Sequence, residues 1–205
     1  MKAVSAKASA VRSAVSKSTN LAQDPDIDLL PGLRAGRPAA LSQLMDRHLN
    51  RLHGLAWHMT GDRSQAEDIA QETFLRFWQT APSWTDQGGA TILTWLRRVA
   101  TRLCIDEKRR KRPIYTDLPP EQIDQSPRAD LELVRSETAH RVQAAILTLP
   151  ERQRAALVLS YYQHLSQKEG AATLGLKQKA YESLLSRAKA NLKTTLLPEK
   201  ESLRQ

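Results

Sequence analysis

Residues 165–189 of this chain, LSQKEGAATLGLKQKAYESLLSRAK, predict two helices joined by a tight turn. Ser166 and Glu169 form a capping box, in which the serine hydroxyl and the glutamate carboxylate satisfy free amides at the start of a helix. The turn follows at Leu174-Gly175-Leu176. A longer helix is expected over residues 178–192, because apolar residues recur there every three or four positions. Such a helix-turn-helix can place its second helix in the major groove of DNA.

The second helix of this motif has an apolar and a polar side. The positions expected to pack inward are Tyr181, Leu184, Leu185, Ala188 and Leu192. The positions expected to face outward are Lys177, Gln178, Lys179, Glu182, Ser183, Ser186, Arg187 and Lys189. The polar side would therefore face a bound duplex.

The remaining regular structure also reads as helix, so the expected fold class is all-α. Apolar residues over 41–59 recur mostly at three, four or seven positions and give one buried stripe, which Gly61 ends. Ser64-Gln65-Ala66-Glu67 reads as another capping box, and residues 91–110 form a helix with one apolar and one cationic face. Further helices are expected around residues 142–149 and from Pro150, in a first turn, to about residue 162.

The basic residues are concentrated in two modules. Residues 97–112 carry eight basic and two acidic side chains, residues 113–140 carry two and six, and residues 141–205 carry eleven and five. The net charge of +9 indicates a polyanionic partner such as nucleic acid. Residues 113–136 hold Pro113, Pro119, Pro120 and Pro127 among the acids, which predicts a flexible linker.

These patterns predict two small helical domains joined by an acidic linker. The expected organisation is a disordered tail over residues 1–25, a first domain over 26–112, the linker over 113–136, a helix-turn-helix domain over 137–197 and a tail over 198–205. The sequence contains no run of about 20 apolar residues, the length needed to cross a bilayer, so stable membrane insertion is not expected.

Several residue types that often mark enzymes have the wrong spacing here. Cys104 is the only cysteine, which excludes an intrachain disulfide and a thiolate zinc cluster and fits a reducing, cytoplasmic setting. His48, His53 and His58 recur every five residues, so they spiral around a helix and do not converge as zinc ligands at i and i+4 would. With no glycine-rich phosphate loop and no nucleophile motif, we expect no catalytic residue, no metal and no cofactor.

Two parts of the sequence resemble a known family. Asp62 with AEDIAQETFLRFW at 66–78 and WLRRVATRLCID at 95–106 look like the first conserved region of extracytoplasmic-function (ECF) RNA polymerase sigma factors, which belong to the sigma-70 family. The second region of the family is similar to LPERQR at 149–154 together with Leu165-Ser166, Glu169, Ala171, Leu174-Gly175 and Ser186-Arg187-Ala188. The resemblance covers roughly residues 36–112 and 137–195, in the order typical of the family.

The resemblance implies an alternative sigma factor, which binds core RNA polymerase, directs promoter recognition and helps to open DNA. The first domain would dock on the clamp of the largest subunit and contact the −10 element. The second would bind the −35 element and the flap of the second-largest subunit. An anti-sigma factor would hold the protein inactive. The linker acids that would thread towards the active-site cleft are Asp117, Glu121, Asp124, Asp130 and Glu132.

The resemblance also assigns individual residues to these contacts. The polymerase-docking set is Glu67, Asp68, Gln71, Glu72 and Arg76. The −10 set is Arg97, Arg98, Arg102, Lys108, Arg109 and Arg110. The loop over residues 83–90 would hold a flipped base, with Trp84 as a stacking platform, while the other tryptophans are expected in the core. The −35 set is Lys177, Lys179, Glu182, Ser183, Ser186 and Arg187.

Some positions depart from the family pattern. Arg102 stands where the family usually has asparagine, which leaves the −10 base preference open. In the helix-turn-helix, Gly170 replaces the usual isoleucine, Ala180-Tyr181 replaces Thr-Val, and Leu184 replaces a basic residue. These changes keep a helix that can pack, but they leave the −35 sequence open.

Simpler interpretations remain for each set. Glu67 is partly explained by helix capping, and the rest of the docking set by an ordinary exposed helix face. The cationic cluster at 97–112 would also suit RNA or an acidic membrane. The main alternative function is a stand-alone helix-turn-helix DNA-binding regulator that recognises an operator through residues 137–195. The paired modules, the acidic linker and the acidic helix at 67–72 argue against that alternative.

Overall fold

The computed structural model describes residues 24–85, 90–110 and 130–197, although the side chains of 108–110 and 130–137 are not described. The predictions for residues 1–23 of the N-terminal tail, for the C-terminal tail, for most of the acidic linker and for the centre of the 83–90 loop therefore lie outside the described residues. All regular elements within the described ranges are helical, which confirms the predicted all-α class.

Eight α-helices make up most of the described chain. In order they are α1 (Leu30–Arg34), α2 (Pro38–Thr60), α3 (Arg63–Thr80), α4 (Ile92–Arg110), α5 (Asp130–Thr148), α6 (Glu151–Tyr161), α7 (Gln167–Leu174) and α8 (Gln178–Leu196). Short 3-10 helices lie at Ile27–Leu29 and Ala81–Ser83. We refer to α1–α4 as the N-terminal domain and to α5–α8 as the C-terminal domain.

The N-terminal domain is built around α2. This helix begins at Pro38, whose fixed φ suits a first turn, and ends at Gly61, which adopts a left-handed φ of 76°. Its apolar stripe is buried against α3 and α4, with Leu44, Leu52 and Leu55 at 0% exposure. The predicted stripe and the predicted stop of this helix are both confirmed.

The predicted capping box at Ser64 is wrong. α3 begins at Arg63, and its N-cap is Asp62, whose carboxylate accepts a hydrogen bond from the Gln65 amide at 3.0 Å. An aspartate is as good an N-cap as a serine, and Asp62 follows the glycine that ends α2. Glu67 is therefore not needed for capping, and its carboxylate instead accepts a hydrogen bond from Arg63 Nε at 3.4 Å.

The described residues include Asp24 and Pro25, which the sequence assigned to the tail. Asp24 is 3% exposed, and its Oδ2 accepts a hydrogen bond from the Ile92 amide at 2.7 Å, at the start of α4. Asp26 bonds to His48 Nε2 at 2.7 Å and to Arg47 Nη1 at 3.1 Å. Burial alone would raise the pKa of Asp26, but these two bonds outweigh it and lower that pKa. This segment therefore makes hydrogen bonds to both α2 and α4.

The C-terminal domain contains the predicted helix-turn-helix. Ser166 Oγ accepts from the Glu169 amide at 3.3 Å, and the Ser166 amide donates to Glu169 Oε2 at 2.9 Å, so this capping box is confirmed. Gly175 ends α7 with a φ of 65°. The predicted inward face of α8 is also confirmed, because Tyr181, Leu185 and Ala188 are buried and Leu184 and Leu192 pack half-buried against the core.

Two departures from the family pattern prove to be neighbours. Gly170 lies in α7 directly against the ring of Tyr181 in α8, and a Cβ added at position 170 would overlap the tyrosine Cζ and hydroxyl. Tyr181 is fully buried, and its hydroxyl donates to the Ala156 carbonyl at 2.8 Å. The glycine therefore provides the space that the tyrosine ring fills.

The linker ends earlier than predicted. α5 begins at Asp130, so residues 130–136 are helical in backbone where the sequence placed linker. Pro127 is the last proline before α5, and residues 130–148 contain neither proline nor glycine to interrupt a helix. The connection between α4 and α5 is then residues 111–129, which can span at most about 70 Å.

Candidate functional site

The predicted polymerase-docking residues lie together on the outer side of α3. Glu67, Asp68, Gln71 and Arg76 are exposed, and Glu72 is half-buried. Arg76 Nε donates to Glu72 Oε1 at 2.7 Å. Exposed i,i+4 pairs of this kind contribute only about 0.3–0.5 kcal/mol, so a partner can replace them at little cost.

A groove between α2 and α3 lies beside this acidic face. It has a volume of about 530 Å³ and is lined by Leu41, Met45, Asp68, Gln71, Glu72, Phe74 and Leu75. Leu75 is 50% exposed on its edge. An apolar centre with a polar rim is typical of protein–protein interfaces. The sequence predicted the acids but not Leu41, Met45 or Leu75, because helical periodicity does not show which apolar residues stay exposed.

The predicted −10 arginines on α4 differ in their surroundings. The side chain of Arg102 is 84% exposed, and its Nε lies 3.7 Å from Asp106 Oδ2. Arg98 Nε instead donates to the Ala172 carbonyl of α7 at 3.0 Å. Arg97 Nε donates to Gln163 Oε1 at 3.4 Å. For Lys108, Arg109 and Arg110 only the helical backbone is described.

Arg97 lies in a cleft between the two domains. The cleft has a volume of about 440 Å³ and is lined by Asn50, Arg51, Gly54, His58, Arg97, Tyr162, Gln163 and His164. Burial and the nearby charge of Arg51 lower the pKa of the Arg97 guanidinium, and the opposite charge of Glu169 only partly offsets them. Two arginines thus face a cleft that no acidic residue lines.

The predicted base-stacking role of Trp84 is contradicted. Its ring is 1% exposed and packs edge-on against Phe77 and Trp95, with centroid separations of 5.2 and 5.9 Å. Its carbonyl accepts a hydrogen bond from Arg34 Nη2 at 2.6 Å. A large apolar ring is more stable in this aromatic cluster than on the surface. Trp57, Trp78 and Trp95, predicted as core, are partly buried and pack against the hydrophobic core.

The predicted −35 residues lie on the exposed side of α8 and at its N-cap. Lys177 is the N-cap, and Lys179, Ser183, Ser186 and Arg187 are exposed, while Glu182 is half-buried. Gln178 Nε2 donates to Glu182 Oε1 at 2.9 Å, and Arg187 Nη2 donates to Ser183 Oγ at 3.0 Å. These bonds run between neighbouring turns and hold the polar side chains in order along one face.

Arg154 connects the two domains from a buried position. It is 1% exposed on α6. Its guanidinium donates to Met59 O at the end of α2 (2.6 Å), to Ile146 O (3.2 Å) and Leu149 O (3.0 Å), and to Leu147 O, around the end of α5. The C-terminal end of a helix carries partial negative charge. Two helix ends therefore compensate one buried cation.

A second contact between the domains surrounds His58 of α2. His58 Nδ1 lies 2.8 Å from Gln143 Oε1 of α5, and its ring stacks on Tyr162 with centroids 3.5 Å apart. Gln163 Nε2 also donates to the Arg51 carbonyl at 3.0 Å. We call this set of interdomain contacts, together with those of Arg154, Arg97 and Arg98, the seam.

Cys104 is a free thiol buried in α4. It is 3% exposed, and burial raises the pKa of its thiol to about 12. In the ranges that the structure describes, no three histidine, cysteine, aspartate or glutamate side chains are placed to hold a metal ion. None of the described helices is long and apolar enough to cross a membrane.

Comparison with known families matches both domains. Residues 44–114 match the family Sigma-70 region 2, and residues 139–192 match the family Sigma-70, region 4. The chain is 34% identical over 167 residues to the ECF RNA polymerase sigma factor SigM of Mycobacterium tuberculosis, covering 82% of each chain. It is 34% identical over 158 residues to the ECF RNA polymerase sigma factor SigE of Mycolicibacterium smegmatis, covering 75% of this chain and 60% of SigE.

Solved structures match the fold over most of the chain. CnrH, in complex with the cytosolic domain of CnrY, superposes with a TM-score of 0.64 at 27% identity, covering 84% of this chain and 97% of CnrH. RpoE of Bartonella quintana, in complex with the anti-sigma factor NepR, superposes with a TM-score of 0.58 at 20% identity, covering 76% and 95%.

The chain therefore belongs to the sigma-70 family, among the ECF RNA polymerase sigma factors. Sigma factors are transcription initiation factors, and this assignment favours the sigma factor over the stand-alone regulator. The N-terminal domain contains region 2 and the C-terminal domain contains region 4.

Proposed function

We propose that this sigma factor binds core RNA polymerase through α3, contacts the −10 element through α4 and contacts the −35 element through α8. The observation that carries the proposal is the separation of three surfaces. The N-terminal domain presents an acidic and apolar face on α3 and a cationic face on α4, while the C-terminal domain presents the polar face of α8. A protein that binds only DNA has no need of the first surface.

The polymerase contact is supported by the groove between α2 and α3. Its apolar lining, including the half-exposed Leu75, offers area that is stabilised by burial, and Asp68 and Glu72 at its rim select a basic partner. We assign this groove to the clamp of the largest subunit, and the flap of the second-largest subunit to the C-terminal domain.

The −10 contact is supported by Arg102, the most exposed of the three described α4 arginines. A guanidinium in place of the family's asparagine favours phosphate or guanine over adenine, the base that an amide pairs with best. We therefore propose that Arg102 changes the preference at the −10 element. Lys108, Arg109 and Arg110 continue the same helix and would contact adjacent phosphates.

The −35 contact is supported by the exposed N-terminal half of α8. Lys177, Lys179 and Arg187 supply charge for phosphates, and Glu182, Ser183 and Ser186 supply groups that can bond base edges. CnrH and the Bartonella RpoE were solved in complexes, the second with an anti-sigma factor. We propose that an anti-sigma factor also regulates this chain, that it acts in the cytoplasm, and that polymerisation is carried out by its partner.

Promoter-selective transcription with purified core polymerase tests the proposal. We expect Asp68→Lys with Glu72→Lys to weaken core binding about tenfold or more, because like charges replace opposite ones at the interface. The matched control is Asp46→Lys, which reverses an exposed acid of α2 outside the groove lining. Arg102→Ala should retain core binding while impairing open-complex formation.

The outcomes separate the alternatives. Specific duplex binding without polymerase, together with no core binding and no new start sites, would support the stand-alone regulator. If the double reversal and the Asp46→Lys control lose core binding equally, α3 is not part of the polymerase interface.

A further inference from the structure

The N-terminal segment, residues 24–34, bonds to the chain at both ends of the connection between α3 and α4. Arg34 Nη2 donates to the Trp84 carbonyl at 2.6 Å, just after the turn that follows α3. Asp24 Oδ2 accepts from the Ile92 amide at 2.7 Å, where α4 begins. We propose that Asp24 and Arg34 are positioning residues for the −10 element, because these two bonds, which we call the anchors, fix both ends of the connection. This inference rests on the proposed −10 contact of α4.

The first anchor is built from a carboxylate that is itself held in place. Asp24 is 3% exposed, and its Oδ1 accepts from the Asp26 amide at 3.1 Å while its Oδ2 accepts from Ile92. Asp26 is 1% exposed and bonds to His48 Nε2 of α2 at 2.7 Å. Both oxygens of Asp24 are therefore engaged, and the segment that carries it is fixed to the helix at the centre of the N-terminal domain.

The start of α4 depends on this carboxylate. Thr91 Oγ1 accepts from the Thr94 amide at 3.1 Å, as an N-cap side chain does. The amide of Ile92, a residue with 0% exposure, is left to Asp24. A carboxylate is also favoured by the partial positive charge at the N-terminus of a helix. Loss of the Asp24 carboxylate would leave a buried amide unpaired, which costs stability at the first turn of α4.

The second anchor depends on the packing of α1. Leu30 and Leu33 of this helix are buried in the core, and α1 packs against the turn Ala81–Ser83. Arg34 is the last residue of α1, so this packing brings its guanidinium to the Trp84 carbonyl. The two anchors thus come from one segment that is docked at both of its ends.

Both anchors bond backbone atoms, a carbonyl at Trp84 and an amide at Ile92. They constrain where the chain enters and leaves residues 85–91 without depending on the side chains of that stretch. Fixing both ends in advance reduces the conformational entropy that DNA binding would otherwise cost. The anchors should therefore set the strength of the −10 contact and leave its base preference to other residues. They also precede residue 44, where the match to Sigma-70 region 2 begins.

Substitutions in the full chain, bound to core polymerase, test the proposal. Asp24→Ala with Arg34→Met removes both anchors, while Arg34→Lys keeps a donor that can reach the Trp84 carbonyl. The matched control is Asp28→Ala, which removes an exposed acid of the same segment whose carboxylate bonds to Arg47 of α2. Urea unfolding and core binding are measured for every variant, so that a general loss of structure is recognised.

The first readout is hydrogen exchange at the anchored amide. The Ile92 amide should exchange about tenfold faster or more in Asp24→Ala than in the parent or in Asp28→Ala, because its acceptor is lost. An unchanged exchange rate would show that Asp24 does not hold the start of α4, and would overturn the proposal.

The second readout is promoter opening, followed by 2-aminopurine fluorescence in the −10 element of a promoter found by promoter-selective transcription. Opening should fall about tenfold or more in the double variant at unchanged core binding, and less than about twofold in Asp28→Ala. Arg34→Met alone should impair opening, whereas Arg34→Lys should retain most of it, because an ammonium group also donates. Loss of opening only in proportion to loss of stability and core binding would make both residues merely structural.

Base preference separates positioning from direct reading. Promoters that differ at single −10 positions should keep their order of activity in the double variant, because the anchors bond backbone atoms. A changed order would mean that Arg34 reads a base itself, which overturns the proposal. If the parent holoenzyme opens the promoter and the double variant opens it equally well, the inference is refuted while the proposed function stands. If the parent opens no promoter, the proposed function is refuted and the inference fails with it.

Discussion

Replacing Gly170 with alanine tests whether the ring of Tyr181 occupies the space that a side chain at position 170 would need. The added Cβ would overlap the ring at Cζ and the hydroxyl. The ring is held in place, because Tyr181 is 0% exposed and its hydroxyl lies 2.8 Å from both Ala156 O and Ser160 Oγ. It cannot move aside without straining buried hydrogen bonds.

Two effects of opposite sign decide the size of the change. Alanine is favoured over glycine inside a helix by about 1 kcal/mol. Overpacking a filled site costs about 1–3 kcal/mol, and a weakened buried hydrogen bond costs about 1 kcal/mol more. We therefore expect Gly170→Ala to lower the free energy of unfolding by about 1–3 kcal/mol.

Urea unfolding measures this change, and the structure supplies a matched control. Gly54 lies inside α2, and a Cβ added there meets nothing within 4 Å. Gly54→Ala should therefore raise the free energy of unfolding by up to about 1 kcal/mol, from helix propensity alone. In a Tyr181→Val background, Gly170→Ala should lose its penalty and become neutral or stabilising. If Gly170→Ala stabilises the parent as Gly54→Ala does, the proposed packing against Tyr181 is refuted.

Two further predictions concern titrating groups. Cys104 should not react with a thiol reagent at pH 8 until the protein unfolds, because burial raises its pKa to about 12, and rapid labelling of the native protein would contradict this. Burial lowers the pKa of His58 from 6.5, although its bond to Gln143 opposes the shift. The other titratable side chains that line the cleft beside His58 are Tyr162, Arg51, Arg97 and His164, none of them acidic. The neutral ring is therefore favoured in the seam, so the contact between the two domains at His58 should be strongest above pH 6.5 and weaken as the pH falls below it. Energy transfer between dyes attached at Ser42→Cys in α2 and Lys193→Cys in α8, both exposed positions, should fall on acidification, and His58→Gln should remove much of that pH dependence.

The regular helices could be predicted because each depends mainly on local sequence. The stripe of α2, its stop at Gly61 and the capping box at Ser166 are short-range patterns, and the structure contains all of them. The segment around Asp24 had no such pattern. Asp24 accepts a hydrogen bond from the Ile92 amide, 68 positions away in the chain, which periodicity cannot show.

Tryptophan placement shows a second limit of sequence reasoning. Trp84 follows a proline-containing turn and precedes a glycine-containing stretch, which favours a loop, and a loop residue is normally exposed. The backbone at Trp84 is indeed outside any helix, but the ring turns inward between Phe77 and Trp95. Secondary structure was therefore predictable at this position, whereas the direction of the side chain depended on the tertiary aromatic cluster.

The candidate site shows the same limit: the sequence identified the arginines, but it did not show which of them are exposed. The resemblance to the family assigned Arg97, Arg98 and Arg102 together to the −10 element, and the sequence placed all three on one predicted helix. The structure separates them, because Arg102 is exposed while Arg97 and Arg98 are bonded to the C-terminal domain. The local sequence determines which residues share a helix face. Whether that face is covered depends here on the C-terminal domain, which begins at Asp130, beyond the linker. Under the proposed −10 contact, substituting Arg98 alone would therefore change both the contact between the domains and DNA binding, whereas substituting Arg102 would change DNA binding alone.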